Sequence, residues 1–414
     1  MKNTKTYPWI VVGLLWVVAL LNYMDRQMLS TMKPTMMIDI AELQTATNFG
    51  RLMAIFLWIY GFMSPVAGMI ADRVNRKWLI IVSLFVWSGV TLAMGYAQNF
   101  NQLYWLRAVM GVSEALYIPA GLSLIADYHT SKTRSLAVGI HMTGLYMGQA
   151  LGGFGATIAD RFSWQTAFHS FGIIGMVYSV LLILFLREKK PVSSIEAPAN
   201  STIKKSGAPL FKGLALLLSN ISFWIILFFF AVPSLPGWGI KNWLPTLFAD
   251  SLDIDMAKAG PLSTITIAAS SFLGVIFGGI LSDRWVQKNL RGRIYTSAIG
   301  LGLTIPALLL LGFGDSLFSV IGAAFCFGFG FGMFDANNMP ILCQFVSSKY
   351  RATAYGLMNM VGVFAGAFIT DYLGRSTDAG SLGKSFAMLS AIVALALVIQ
   401  VSFLRPKTND FVDE

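Results

Sequence analysis

Long apolar stretches alternate with short polar ones along almost the whole chain. A helix needs about 20 mainly apolar residues to cross a bilayer, and only helices or closed barrels satisfy their backbone hydrogen bonds there. These runs are too long and too uniformly apolar for barrel strands. We predict an all-α membrane protein with twelve spanning helices, over residues 8–30, 49–71, 78–97, 102–126, 135–157, 165–186, 218–249, 258–282, 294–313, 316–345, 352–373 and 383–404.

One long polar stretch interrupts this alternation. Residues 187–217 begin REKKPVSSIEAPANSTIKKSGAPLFK and are rich in Lys, Ser, Pro and Ala, a composition typical of a linker. We therefore predict an N-terminal six-helix bundle over 1–186, a linker over 187–217 and a C-terminal six-helix bundle over 218–414. An even number of spans places both termini on one side of the membrane.

The two predicted bundles share short sequence motifs at corresponding places. SKTRSLAVG at 131–139 matches SKYRATAYG at 348–356, and GMIADR at 68–73 matches GILSDR at 279–284. The separations are 217 and 211 residues, obtained from 348 − 131 and 279 − 68. The sequence thus predicts two parallel six-helix pseudo-repeats, a pattern typical of transporters that rock one half against the other.

Composition and charge narrow the class further. The chain of 414 residues is 56% hydrophobic and 12% charged, about half the charged fraction of average soluble proteins. This excludes a soluble enzyme, a disordered chain and a collagen-like fibre. The net charge of +10 fits basic cytoplasmic loops better than nucleic-acid binding, so we expect no nucleic-acid partner.

Lys and Arg are distributed unevenly between the two sides of the predicted bundle. With the N-terminus inside, 21 fall on the cytoplasmic side, six on the other side and three inside the membrane. An excess of Lys and Arg marks cytoplasmic loops. We therefore expect a multi-pass protein of the plasma membrane (the inner membrane in a bacterium) with both termini in the cytoplasm.

The sequence holds little material for a catalytic or metal site. Two Cys, three His and no HxxxH or CxxC spacing argue against a metal site. We find no nucleophile–base set and no phosphate-binding loop. We therefore predict no enzyme activity, no catalytic residue and no cofactor; the resemblance described below implies the proton as the coupling ion.

Ionisable residues within the apolar runs are costly, and they are functional candidates for that reason. We predict that Asp25 takes up the coupling proton and that Arg26 binds a substrate carboxylate through two hydrogen bonds. The alternative is a structural Asp25–Arg26 pair. Glu114 is a candidate for a second proton carrier that competes with substrate for Arg26, or for a structural partner of Arg26 or Arg107. Arg107 lies two turns before Glu114 on the same helix face, and we interpret it as a structural residue.

Polar residues also enter the second predicted bundle. Lys241 is either a second cation for an anionic substrate or a side chain that reaches the interface. Asp335, Asn337 and Asn338 form a polar stripe that fits recognition of hydroxyl groups in a cavity, although such residues also hydrogen-bond between helices. Pro340 permits a local break in that helix.

Two motifs resemble the major facilitator superfamily over the whole chain. GMIADRVNRK at 68–77 is similar to its loop between helices two and three, with Asn75 in place of a glycine, and LRAVMGVSEA at 106–115 is similar to its helix-four motif. The resemblance implies the major facilitator fold, alternating access and a monomer. It also implies conformational latches with close helix approach at Gly68, and these comprise Gly68, Asp72, Arg73, Arg76, Asp283 and Arg284.

A narrower resemblance is to the anion:cation symporter family. It is carried by NYMDR at 22–26, EALYIPA at 114–120 and WLPTLF at 243–248. It implies proton-coupled symport of a small organic anion such as a sugar acid, with Tyr60 and Asn359 as further substrate contacts. The partners we expect are that anion and membrane lipids.

Two other functions fit part of the sequence. NYxDR and a helix-four GxxEA also resemble the spinster lipid transporters, which would need an apolar cavity with a lateral opening. A membrane sensor that keeps the fold without transporting is the other alternative. The polar residues around Asp335 favour the organic-anion transporter.

Overall fold

The computed structural model is helical in all of its regular structure. It describes residues 6–129, 133–188, 217–314, 316–346 and 351–406, with the backbone alone at 72, 73, 135 and 352. The predicted all-α architecture is confirmed. Eleven helices in this part of the chain are long and apolar enough to cross a membrane. The fifth predicted run, which carries His141 and Gln149, forms a further helix that begins at Arg134 and packs against the first.

The first half contains α1 to α9. They span Tyr7–Thr31 (α1), Lys33–Asp39 (α2), Ala46–Arg73 (α3), Arg76–Met94 (α4), Phe100–Ala115 (α5), Tyr117–Tyr128 (α6), Arg134–Gly152 (α7), Gly155–Arg161 (α8) and Trp164–Phe185 (α9), with a 3₁₀ turn at Ala41–Gln44. The short α2, which leads from the first span into that turn, was not predicted.

The second half contains α10 to α16. They span Ile221–Leu252 (α10), Met256–Val286 (α11), Gly292–Phe313 (α12), Leu317–Asp335 (α13), Asn338–Cys343 (α14), Arg351–Asp378 (α15) and Leu382–Phe403 (α16). The predicted linker lies almost wholly outside the described residues, so the division at 187–217 stays a prediction.

The fourth and tenth apolar runs, which correspond to each other in the two halves, are each interrupted at a similar point. The fourth run breaks at Leu116 between α5 and α6, and the tenth breaks at Ala336–Asn337 between α13 and α14. Each break lies three or four residues before a proline, Pro119 or Pro340, which has no N–H for the preceding turn. The break predicted near Pro340 is confirmed.

Close helix packing brings the polar side chains together. A Cβ on Gly148 of α7 would clash with the carbonyl oxygen of Leu20 on α1, so only glycine permits this approach of the two backbones. Apolar side chains from both halves fill the rest of the core. Many other large apolar side chains stay exposed on the outside of the bundle, as expected for a surface that lipid covers.

The two halves meet at one end of the bundle. We call the end near Tyr7 and Phe185 the terminal face, because the hydroxyl of Tyr7 donates to the carbonyl of Phe185 there over 2.7 Å. The other end is the opposite face. Near it, Asp378 of α15 accepts from the backbone N–H of Ala46 at 2.7 Å and of Thr47 at 2.8 Å.

A second set of contacts joins the halves at the opposite face. The hydroxyl of Thr264 donates to the carbonyl of Ala150 over 3.0 Å, and the hydroxyl of Thr157 donates to the carbonyl of Ala257 over 3.0 Å. No hydrogen bond or ion pair between the halves occurs near the terminal face among the residues that the structure covers. We call the boundary between the two halves the seam. It is closed at the opposite face, and toward the terminal face no hydrogen bond or ion pair between described residues crosses it.

Candidate functional site

The centre of the bundle holds an ion pair between two helices of the first half. Nε of Arg26 on α1 lies 2.6 Å from Oε2 of Glu114, the penultimate residue of α5. The side chain of Glu114 is fully buried, and that of Arg26 is 11% exposed. The structure thus pairs Arg26 with Glu114, and not with its sequence neighbour Asp25.

Both members of this pair keep unused polar atoms. Asn22 donates from Nδ2 to Oε2 of Glu114 over 2.9 Å, so that oxygen already accepts two hydrogen bonds. Oε1 of Glu114 and Nη2 of Arg26 are buried and have no partner among the described residues. Unsatisfied buried groups of this kind are costly, and they are available to a bound carboxylate or a proton.

Three aromatic rings surround the guanidinium of Arg26. Its Cζ lies 4.6 Å from the ring centre of Tyr60, 4.9 Å from that of Phe56 and 5.1 Å from that of Tyr23. Such rings attract a cation through their faces and leave the guanidinium edge for hydrogen bonds. The arrangement holds Arg26 in a fixed direction and places Tyr60, a predicted substrate contact, beside it.

Asp25 lies on a different side of α1. The hydroxyl of Thr91 on α4 donates to Oδ2 of Asp25 over 3.2 Å, and both residues are buried. Neighbouring residues on a helix point about 100° apart, so Asp25 faces α4 while Arg26 faces α3 and α5. Asp25 still interacts electrostatically with Glu114, which keeps the two carboxyl groups coupled.

Arg107 is a buried cation that sequence reasoning assigned to structure. It is 3% exposed, and its guanidinium lies 4.6 Å from the ring centre of Phe56. Nη1 lies 3.2 Å from Sδ of Met110, while Nε has no partner among the described residues. Arg107 therefore does not reach a membrane interface, and it shares Phe56 with Arg26.

The second half contributes another cation and another carboxylate. Nζ of Lys241 on α10 lies 4.9 Å from the ring centre of Trp238 and 5.9 Å from that of Tyr23. Lys241 interacts electrostatically with Asp335 at the end of α13. Asp335 is solvent-exposed although it lies within a membrane-spanning run. Lys241 therefore points into the site between the halves.

The polar stripe after α13 has mixed surroundings. Asn338 donates from Nδ2 to Oδ1 of Asp335 over 3.1 Å, while Asn337, in the break after α13, donates to the carbonyl of Met333 in the last turn of α13 over 2.8 Å. Oδ1 of each asparagine is buried without a partner in the described part of the chain. Asn338 thus stands beside the acidic group, and Asn337 is fully buried.

Three tyrosines link the surroundings of the Arg26–Glu114 pair to Asp335 of the second half through electrostatic interactions. Tyr23, Tyr146 and Tyr355 each interact electrostatically with Asp335, and Tyr355 also interacts with Tyr60. Tyr355 is 43% exposed and was missed by sequence reasoning, although it belongs to the repeated SKYRATAYG segment. Asn359, one turn further along α15, is partly exposed, and its side chain has no hydrogen-bond partner among the described residues.

Arg76 and Asp283, two of the residues predicted as latches, pair within their own halves in this conformation. Arg76 forms an ion pair with Asp127, and Asp283 lies 3.9 Å from Arg293. The side chain of Arg284 is exposed. A Cβ on Gly68 would meet no atom within 4 Å, so the close helix approach expected there is wrong for this conformation. The side chains of Asp72 and Arg73 lie outside the described residues.

No cluster of three or more His, Cys, Asp or Glu side chains suited to a metal ion occurs in the described ranges. The polar groups that converge between the halves are two cations, two carboxylates, amides and phenols. Such a set binds a small polar or anionic molecule through hydrogen bonds and charge.

Known proteins with similar sequences are transporters. The chain is 24% identical to the hexuronate transporter of Bacillus subtilis, over 96% of this chain and 94% of that protein. It is 27% identical to protein spinster homolog 1 of Xenopus laevis, over 95% and 77%. It is 25% identical to the gallate transporter of Pseudomonas putida, over 95% and 90%.

A solved structure shows the same fold. The crystal structure of a bacterial homolog of the human lysosomal transporter Spinster, inward-facing and unoccupied, superimposes with a TM-score of 0.81 at 19% identity. The match covers 96% of this chain and 97% of that one, which confirms the predicted arrangement of twelve spans in two six-helix pseudo-repeats. The model of the Major Facilitator Superfamily matches residues 15–370, and the chain belongs to that family of transporters.

Proposed function

We propose that this protein is a proton-coupled symporter of a small organic anion, with a sugar acid as the best-fitting class. The observation that carries the proposal is the buried pair of Arg26 and Glu114, because each side chain keeps an unused polar atom. A substrate carboxylate can replace Glu114 on the planar guanidinium, which suits a bidentate contact.

Proton coupling follows from this competition. Protonation of Glu114 removes the charge that holds Arg26, so a carboxylate binds best after Glu114 has taken up a proton. Asp25 is the second proton site in this proposal, since it interacts electrostatically with Glu114 from the α4 side. Loss of either proton then favours release of the anion.

The second half would recognise the rest of the substrate. Lys241 supplies a second positive charge, and Asp335 and Asn338 supply acceptors and donors for hydroxyl groups. Asn337 and Asn359 are proposed as further polar contacts. The similarity to a hexuronate transporter supports a substrate with both a carboxylate and several hydroxyl groups.

Alternating access would move this site between the two sides of the membrane. We propose that the chain acts as a monomer in the plasma membrane with both termini in the cytoplasm, because 21 of its basic residues would then lie on that side and six on the other. The conformation closed at the opposite face is then inward-open. Gly68, Asp72, Arg73, Arg76, Asp283 and Arg284 would hold the terminal face together in the outward-open conformation.

A lipid or amphiphile transporter is the second candidate. The aromatic rings around Arg26 and the similarity to a spinster homolog favour it. The charges that both halves contribute to one site favour the organic anion instead, since a lipid tail gains nothing from Lys241, Asp335 or Glu114 there.

Uptake into proteoliposomes distinguishes these functions. The panel contains hexuronates, aldonates, neutral sugars and a lysophospholipid, each measured with and without an inward proton gradient. We expect the gradient to drive accumulation of sugar acids and not of neutral sugars. Uptake of the lysophospholipid alone would favour the lipid transporter, and binding of a sugar acid without uptake would favour a sensor.

A further inference from the structure

A groove lies on the outer surface of the bundle, away from the central site. It runs along the seam between α3 of the first half and α15 of the second half, at the end nearer the opposite face, and its volume is about 350 Å³. At about 30 Å³ per water molecule, that volume holds a glycerophosphate head and leaves acyl chains outside. The residues that matter are Arg51, Trp58, Phe368, Asp371, Tyr372 and Arg375.

The end of the groove nearer the opposite face, which is lined by Arg51, Asp371 and Arg375, carries a net positive charge. Nε of Arg51 lies 3.8 Å from Oδ1 of Asp371, and Arg375 forms an ion pair with Oδ2 of the same carboxylate. Two guanidinium groups thus share one carboxylate. The side chains of Arg51 and Arg375 are 54% and 62% exposed, so N–H donors remain free to meet an anion from outside.

The part of the groove that lies deeper in the membrane, lined by Trp58 and Phe368, is apolar. Trp58 follows Arg51 by seven residues, and Phe368 precedes Arg375 by seven, which places both rings about 10 Å deeper in the membrane at 1.5 Å per residue. Trp58 is 36% exposed and Phe368 is 60% exposed. The groove is therefore basic where each helix nears its end and aromatic toward the hydrocarbon, which matches the order of groups in a phospholipid.

We propose that this groove binds one anionic phospholipid from the leaflet at the opposite face. Its phosphate lies between Arg51 and Arg375, where it competes with Asp371, and its acyl chains run along Trp58 and Phe368. The two arginines belong to different halves and share Asp371 in this conformation, which is closed at the opposite face. The lipid therefore favours that conformation to the extent that it binds it more tightly than the open one.

Lipid binding to the full-length, delipidated protein tests this site. Native mass spectrometry counts bound phosphatidylglycerol and phosphatidylcholine for the wild type and for Arg51→Gln/Arg375→Gln. We expect at least tenfold preference for phosphatidylglycerol in the wild type, and loss of that preference in the variant. The control is Arg161→Gln/Lys384→Gln, which removes two exposed basic residues from the same face and keeps the preference.

A second variant protects the test against misfolding. Asp371→Asn retains both arginines and removes the competing carboxylate, so we expect phosphatidylglycerol to bind severalfold more tightly. Equal binding of the two lipids by the wild type, or equal loss in both double variants, would overturn the proposal. Displacement of phosphatidylglycerol by inorganic phosphate at roughly millimolar concentration would also overturn it, because the site would then bind free anions.

Discussion

Arg26 and Glu114 are joined across α1 and α5 by a contact of 2.6 Å from Nε to Oε2, and neither side chain uses all of its polar atoms. A purely structural ion pair in so buried a place would be expected to satisfy both partners fully, since every unused buried group costs free energy. The incomplete pairing is what a site for an exchangeable anion requires.

Replacement of Arg26 by lysine should weaken substrate binding strongly. Lysine keeps the charge but cannot present two parallel donors to a carboxylate, so we expect KM for the anion to rise about tenfold or more, equal to about 1.4 kcal/mol. Initial uptake rates over a range of substrate concentrations give this value. Arg161→Lys, on an exposed residue at the opposite face, is the control, and an unchanged KM in Arg26→Lys would remove Arg26 from the binding site.

Asp25→Asn should abolish accumulation against a gradient while exchange of substrate across the membrane persists. The amide keeps the shape of the side chain and can still pair with the Thr91 hydroxyl, but it cannot bind and release a proton. Counterflow and gradient-driven uptake, measured on the same proteoliposomes, separate the two steps. Thr91→Val removes the 3.2 Å hydrogen bond alone and should retain coupling. Full accumulation by Asp25→Asn would show that Asp25 carries no coupling proton.

The spans could be predicted from the sequence, whereas the pairing of charges could be predicted only as a set of alternatives. Apolar length alone determines where a helix crosses the membrane, and Pro340 marked the break before α14. The partner of Arg26 depends on how α1 packs against α5, and the partner of Asp25 depends on α4. From the sequence, Glu114 could pair with Arg26 or with Arg107, which shares its helix face, and only the packing of α1 against α5 decides for Arg26.

Asp378→Asn should loosen the closed seam at the opposite face. Asp378 accepts from two backbone N–H groups at the start of α3 and from the hydroxyl of Thr47 at 2.6 Å. Loss of such a helix cap costs about 1 kcal/mol, so we expect about a fivefold shift toward the conformation that opens there. Distances between spin labels at Asn48 and Thr377 report the two populations.

The control for this variant is Asp253→Asn. Asp253 is exposed near the same face, and its positive φ of 49° is tolerated by asparagine. Its distance distribution should equal that of the wild type. If Asp378→Asn also leaves the distribution unchanged, the cap does not stabilise the closed seam.

Lys33, in α2 beyond the first span, should make stability depend on pH. Burial lowers the pKa of its ammonium from the ordinary value of 10.5, against the attraction of Asp250 and Asp378. Between the lowered pKa and 10.5 the unfolded state binds more protons, so the free energy of unfolding rises with pH through that window. Below the window the charged, buried ammonium destabilises the fold.

The variant Lys33→Met should remove this dependence. We expect a higher Tm than the wild type at pH 7, with a difference that shrinks as the pH approaches 10.5. Lys258→Met, at an exposed position on the same face, serves as the control and should follow the wild type. A Tm of Lys33→Met below that of the wild type at pH 7 would mean that the attraction of the two aspartates outweighs burial.

Proton uptake on substrate binding is the most direct test of the competition at Arg26. The purified protein is mixed with a transported sugar acid in weakly buffered solution that contains a pH indicator, and the protons bound per substrate are counted. We predict net proton uptake by the wild type and markedly less by Glu114→Gln, which still binds the anion, while Glu42→Gln at an exposed position behaves as the wild type. Equal proton uptake by the wild type and Glu114→Gln, or none by either, would contradict the account.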